Sequence, residues 1–136
     1  MKFPLTIPFL HHLGAEITEY GGGRCTLALE LEPRHLNSWD VAHGGVIMTL
    51  LDAALAIAGK SAFTDDYGAP GGMLTVEMKT MFLRPGTAGR IVAHGQCVHK
   101  ATKLAFCEGE VCDAAGKTIA RASGTFKYWT PRATPT

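Results

Sequence analysis

From Val46 to Ala58 nearly every residue is apolar at every helical phase, and a single carboxylate, Asp52, sits in the middle of the run. A helix that is hydrophobic on all sides is enclosed by the rest of its protein. The segment therefore asks for an architecture in which the remaining chain wraps around one helix. It is too short to span a bilayer. Burying a lone carboxylate costs several kcal/mol unless it is paired, hydrogen-bonded or facing a wet cavity. Asp52 either bonds a backbone group or a hidden Lys or Arg, or it is held in a cleft as a base or nucleophile.

The segment leading into this helix carries the complementary feature. Asn37, Ser38 and Asp40 are candidate caps or turn formers, and His43-Gly44-Gly45 follows them. Free N–H groups and the positive end of the dipole lie at such a start, and two glycines let a ligand oxygen approach the backbone. The site suits an oxyanion or a polarised carbonyl, although Gly-Gly by itself also reads as a plain loop-to-helix turn. Gly44 and Asp52 are about 12 Å apart at the helical rise, too far to act on one carbonyl carbon from the same helix. If both act, Asp52 comes from a second copy of the chain, which implies a homodimer with its sites at the interface.

Length sets one domain over residues 1–136, with a core over about 14–129 and a flexible tail over 130–136. A formal charge of +1 with 18% charged residues gives no broad basic face, which argues against nucleic acid as a partner. Cys25, Cys97, Cys107 and Cys112 show no CxxC and no zinc spacing with the six histidines. They read as reduced thiols in a cytoplasmic protein without a metal. The N-terminal MKFPLTIPFLHH is interrupted by Pro4 and Pro8, so it does not read as a signal peptide, and no segment is expected to enter a membrane.

Residues 4–13 are expected to form a short helix or arm that packs Phe9, Leu10 and Leu13 on the body. Cys25, Leu27, Leu29 and Leu31 alternate with Arg24, Thr26, Ala28, Glu30 and Glu32, so Ala15–Tyr20 and Arg24–Glu32 read as a half-buried hairpin around Gly21-Gly22-Gly23. Pro33 stops the strand, residues 35–42 form the loop into the helix, and the helix frays after Ser61 into a turn-rich connector. Met73–Leu83, Arg90–His99, Lys103–Asp113 and Lys117–Trp129 read as four strands joined by short turns, an antiparallel meander. One apolar helix and five to six strands bury each other only as an α+β fold whose curved sheet wraps the helix. The small residues Ala120, Ala122, Ser123 and Gly124 fit close approach by the helix or a neighbouring strand.

The pattern Asn-x5-His-Gly-Gly-x6-Asp, read as Asn37, His43, Gly44, Gly45 and Asp52, resembles that of hotdog-fold acyl-CoA thioesterases, in particular the PaaI-like and 4-hydroxybenzoyl-CoA branch. The likeness continues through TVEMKTMFLRP at 75–85 and DAAGKTIARASGTF at 113–126, and so covers roughly residues 25–128. The resemblance implies a hotdog fold and hydrolysis of an acyl-CoA without metal or prosthetic group, coenzyme A being part of the substrate. It implies that Gly44 donates its N–H to the thioester oxygen while Asp52 of the neighbouring subunit attacks or activates water. Asn37 would place water or the departing sulfur, Thr75 would orient water near the carboxylate, and His43 would bond the carbonyl or hold the loop.

Gly45, Met48, Met73 and Phe82 would contact the substrate, and Arg84, Lys100 and Lys103 would form a cationic rim for the phosphates. The family likeness also implies a homodimer or homotetramer. The sequence departs from its relatives at Asp40, where they often carry Gly. A carboxylate there either caps the helix or narrows the pocket against anionic acyl groups. Two other readings stand beside hydrolysis: an acyl-CoA-binding hotdog module without turnover, and a hotdog dehydratase, which the His-to-Asp spacing fits less well.

Overall fold

The computed structural model describes residues 6–131, so the arm's first residues and all of the expected tail beyond Pro131 lie outside them. A short helix α1 (Pro8–Leu13) precedes the hairpin β1 (Glu16–Gly21) and β2 (Arg24–Glu30). A single 3-10 turn over Pro33–His35 leads to the long helix α2 (Gly44–Phe63), and β3 (Gly72–Phe82), β4 (Arg90–Lys100), β5 (Leu104–Cys112) and β6 (Thr118–Trp129) complete the chain. In α1 only Leu10 is buried, and Phe9 is 59% exposed. The expected packing of Phe9 is therefore absent. One turn of helix buries a single side chain when its neighbours point away from the sheet.

All strands join one antiparallel sheet in the order β1-β2-β4-β5-β6-β3. The expected meander holds for β4, β5 and β6 but fails for β3, which pairs with β6 at the far edge. Its link to β4, residues 83–89, must cross three strand spacings, about 14 Å, a span that seven residues cover easily. This segment is pinned as it crosses: Leu83 and Arg84 donate their N–H groups to Ile119 O at 2.9 and 3.1 Å, and Gly86 O accepts from Ala42 N–H at 2.7 Å. Pro85-Gly86 thus belongs to a crossover that closes the core below α2, whereas the same dipeptide in sequence looks like a hairpin turn.

The second strand of the hairpin is more deeply buried than its alternation suggests, while the first carries no fully buried residue. β2 lies between β1 and β4, and Thr26 and Ala28 on its outward side are 8% and 3% exposed.

The core fills the space between α2 and the inner face of the sheet. Leu27, Leu29, Leu50, Leu51, Leu55, Ile91, Val111, Ile119 and Phe126 are fully buried there, and each such side chain contributes roughly 1.5–3 kcal/mol through burial. Two glycines set how closely the layers approach. A Cβ on Gly95 would run into the carbonyl of Ala54, and one on Gly109 into His94 O and Leu55. The middle of α2 therefore rests directly on the backbones of β4 and β5. The expected tight approach along β6 is made mainly to β3, since a Cβ on Gly124 would stand 2.8 Å from Glu77 O.

Helix α2 runs 20 residues at a mean hydropathy of 1.6 and does not fray at Ser61. Contrary to expectation it is long and apolar enough to cross a membrane, because Gly44, Gly45 and the residues after Ala58 extend the run; 56% of that span is buried inside the protein against the sheet. Nor is the helix enclosed all round. The sheet covers Ile47, Leu50, Leu51, Ala54, Leu55 and Ala58, while Gly45, Met48, Thr49, Asp52, Ala53 and Ala56 form an uncovered or half-covered stripe. That stripe repeats at i, i+3, i+4 and i+7, a single helical face.

Candidate active site

Asp52 lies half-buried on this stripe. The hydroxyl of Thr75 donates to its Oδ1 at 2.6 Å, and its second oxygen takes no partner among the described residues. None of the ion pairs among those residues involves it. The anomalous carboxylate is therefore held by one hydroxyl and left open on the other side. Thr75 reaches it because the β3–β6 register shifts between Thr75 and Glu77, and a bulge of this kind re-aims the side chains on either side of it.

The helix start is built by the loop before it. His43 is the N-cap, with its Nδ1 accepting the Gly45 N–H at 2.8 Å. The capping role thus falls to His43, and Asn37, Ser38 and Asp40 take no part in it. With Nδ1 accepting, a neutral His43 carries its proton on Nε2. The backbone N–H of His43 is donated to His35 O at 2.8 Å. His35 is 1% exposed, its Nδ1 accepts the Glu32 N–H at 2.9 Å and its Nε2 meets Leu13 O at 2.8 Å. It anchors the whole segment, and the Glu32-x-x-His35 spacing of a capping box was its only sequence signal.

Gly44 is the first residue of α2, and its N–H has no partner among the described residues. The ring of Phe82 lies beside it, 3.5 Å from where a Cβ would stand. Asn37 spends its side-chain oxygen locally, accepting from the N–H of Trp39 at 2.9 Å and of Val41 at 3.4 Å, while its amide NH2 has no partner among the described residues. Asp40 has φ 58° and is exposed. Glycine adopts that left-handed backbone freely, and Asp is among the few side chains that tolerate it.

The structure gathers the predicted residues into two groups along one side of α2. Thr75 and Asp52 form the first; His43, Gly44, Gly45 and Phe82 form the second. Met48, 39% exposed, lies between them on the same stripe. Met73 packs its Cγ 3.3 Å from the Cβ position of Gly59. The expected cationic rim is not one feature. Arg84 is exposed beyond Phe82 at the start of α2, whereas Lys100 lies at the other end with its Nζ 4.6 Å from the Phe63 ring. Lys103 belongs to the same far end, its carbonyl accepting the Tyr128 N–H at 2.8 Å. The helix between them is about 30 Å long, so within one chain these cations cannot surround one phosphate group.

A separate cleft of about 430 Å³ opens on the opposite face of the sheet, lined by His94, Gln96, Glu108, Glu110, Arg121 and Lys79 among others. Asp52 does not line it. Among the described residues no three His, Cys, Asp or Glu side chains are placed to hold a metal.

Comparison with known proteins gives the chain's family. Residues 40–120, which include His43, Gly44, Asp52 and Thr75, match the thioesterase superfamily. The chain belongs to that superfamily. Among thioesterases it is similar to the medium/long-chain acyl-CoA thioesterase YigI of Escherichia coli, at 27% identity over 135 aligned positions covering 91% of this chain and 87% of that one. Among solved structures it resembles a variant of the phenylacetic acid degradation protein PaaI from Thermus thermophilus, with a TM-score of 0.78, 28% identity, and 89% and 98% of the two chains covered. The PaaI protein of Escherichia coli shares the hotdog fold at a TM-score of 0.82 and 24% identity, over 94% of this chain and 88% of that one.

Proposed function

We propose that this thioesterase hydrolyses an acyl-CoA to the free acid and coenzyme A at a site completed by a second copy of the chain. The observation that carries the proposal is Asp52: a carboxylate on the uncovered face of the core helix, gripped by Thr75 and in no ion pair among the described residues. A purely structural acid would be sealed against a basic group. The acyl-CoA specificity named for YigI supports the choice of substrate.

In this reading the thioester oxygen accepts the Gly44 N–H, and one such donor is worth about 3–4 kcal/mol of barrier. Asp52 of the partner subunit acts in one of two ways. As a nucleophile it attacks the carbonyl carbon, the C–S bond breaks, and water then hydrolyses the resulting mixed anhydride to free the acid and restore Asp52. As a base it takes a proton from the attacking water, and the tetrahedral intermediate expels the thiolate directly. In both routes the proton released by water goes to the departing thiolate, which leaves as coenzyme A. Met48 and Phe82 offer apolar contact to the acyl group beside Gly44, with His43 and Asn37 presenting Nε2–H and amide donors at its edge.

The free edge supports association. Among the described residues β3 has no neighbour on its outer side, and Leu74 and Val76 on it are 53% and 59% exposed. A long apolar edge strand is a template for pairing with another chain, and a homodimer, or a homotetramer made from dimers, would cover it.

The test is release of free thiol from aromatic, short-chain and long-chain acyl-CoAs. The native protein turns over at least one class, and Asp52→Asn lowers kcat by about a hundredfold or more, the scale of general acid–base catalysis, with an unchanged circular dichroism spectrum. Equal turnover by Asp52→Asn would reject the assignment. Tight binding by the native protein without any thiol release would make it an acyl-CoA-binding module.

A further inference from the structure

Away from Asp52, β4 and β5 set Cys97 directly opposite Cys107. Register partners in an antiparallel pair share one face of the sheet, here the face that packs on α2. Cys107 is 3% exposed, and its Sγ lies 3.4 Å from the Cβ position of Gly59. Cys97 is partly exposed, near the glycine turn of the first hairpin.

The backbone N–H of Cys97 is donated away from β5, to Gly23 O at 2.7 Å. The two cysteines therefore form a non-hydrogen-bonded pair, in which Cα atoms approach to about 4.5 Å. That separation falls within the range of disulfides, roughly 4.4–6.8 Å. The register shifts between Cys97 and His99, which gives the strand local slack for the sulfurs to close. Burial first, and the nearness of Cys97 second, push the Cys107 thiol up to about 12. The other two cysteines have no such neighbour: Cys25 stands opposite Gly95, and Cys112 opposite Val92 and Thr118.

We infer that Cys97 and Cys107 are a redox pair that a hydroperoxide converts into an intramolecular disulfide stapling β4 to β5. Cys97, the accessible sulfur, reacts first. Its thiolate attacks the terminal peroxide oxygen, the O–O bond breaks, and Cys97 becomes a sulfenic acid as water or an alcohol leaves. Cys107 then attacks the Cys97 sulfur, the S–S bond forms, the S–O bond breaks, and the hydroxide leaves with the Cys107 proton as water. Two thiols give up two electrons and two protons, and the peroxide takes both.

The experiment treats the folded protein with hydrogen peroxide and reads its intact mass and tryptic map without reductant. The mass falls by two hydrogens, the peptide holding Cys97 is linked to that holding Cys107, and the same link appears in Cys112→Ser. Reductant restores the original mass. In Cys107→Ser the reaction stops at a Cys97 sulfenic acid that dimedone captures, and Cys97→Ser keeps its mass. Retention of four free thiols by the native protein, a link through Cys25 or Cys112, or a link between two chains would each overturn the inference.

Discussion

Gly44 is the residue where geometry and chemistry can be separated by one substitution. It is the first helical position, where Pro is favoured because the N–H has no intrahelical acceptor to lose. His43 before it has φ −59° and ψ 136°, the extended backbone that a following Pro requires. Gly44→Pro is therefore expected to fold while deleting the one donor assigned to the thioester oxygen, and kcat should fall by about 10²–10³. Gly44→Ala keeps the N–H, and its Cβ meets Phe82 at an ordinary 3.5 Å, so it should retain most of the rate. Equal loss in both variants would assign the effect to crowding.

At this scale the sequence was informative. Asp52, Gly44 and His43 stood out by residue type and spacing, whereas the Thr75–Asp52 bond was legible only through a family likeness. Thr75 is 23 positions further on, and only the register of β3 brings the two together. His35 was missed because its only signal, the Glu32-x-x-His35 spacing, says nothing about burial.

Among the elements, α2 and the sheet meet at glycine backbones, and that contact limits what the fold tolerates. A Cβ at Gly109 would collide with His94 O and Leu55, and neither the strand backbone nor the close-packed helix can retreat cheaply. Gly109→Ala should destabilise the protein by about 2–3 kcal/mol, the upper part of the range for overpacking, read as a lower urea midpoint at constant slope. Gly72→Ala, whose Cβ would meet nothing within 4 Å, should stay within about 0.5 kcal/mol.

Strand positions followed from alternation and turn residues to within one or two residues, because those signals are local. The place of β3 did not, since pairing with β6 is settled by how the sheet closes over α2, and the crossover at 83–89 carries the same Pro-Gly as a tight turn. The helix misled in the opposite sense. Its apolarity all round suggested enclosure within one chain, but the face carrying Met48 and Asp52 is left uncovered by this sheet.

The whole molecule is incomplete as a catalyst in the proposed reading. The oxyanion donor and the carboxylate lie on one helix about 12 Å apart, and both open on the side where β3 leaves a free edge. In a two-fold dimer each subunit gives one residue to each of two sites. A dimer of one Asp52→Asn chain and one Gly44→Pro chain would then hold one site with both defects and one with neither. The direct test is acyl-CoA turnover after subunit exchange between equal amounts of these two inactive variants. Random reassortment makes about half the dimers mixed, each with one working site of two, so activity should return to about a quarter of the native value. A mixture whose dimers exchange subunits but whose activity stays at the sum of its two parents would contradict a site shared between subunits.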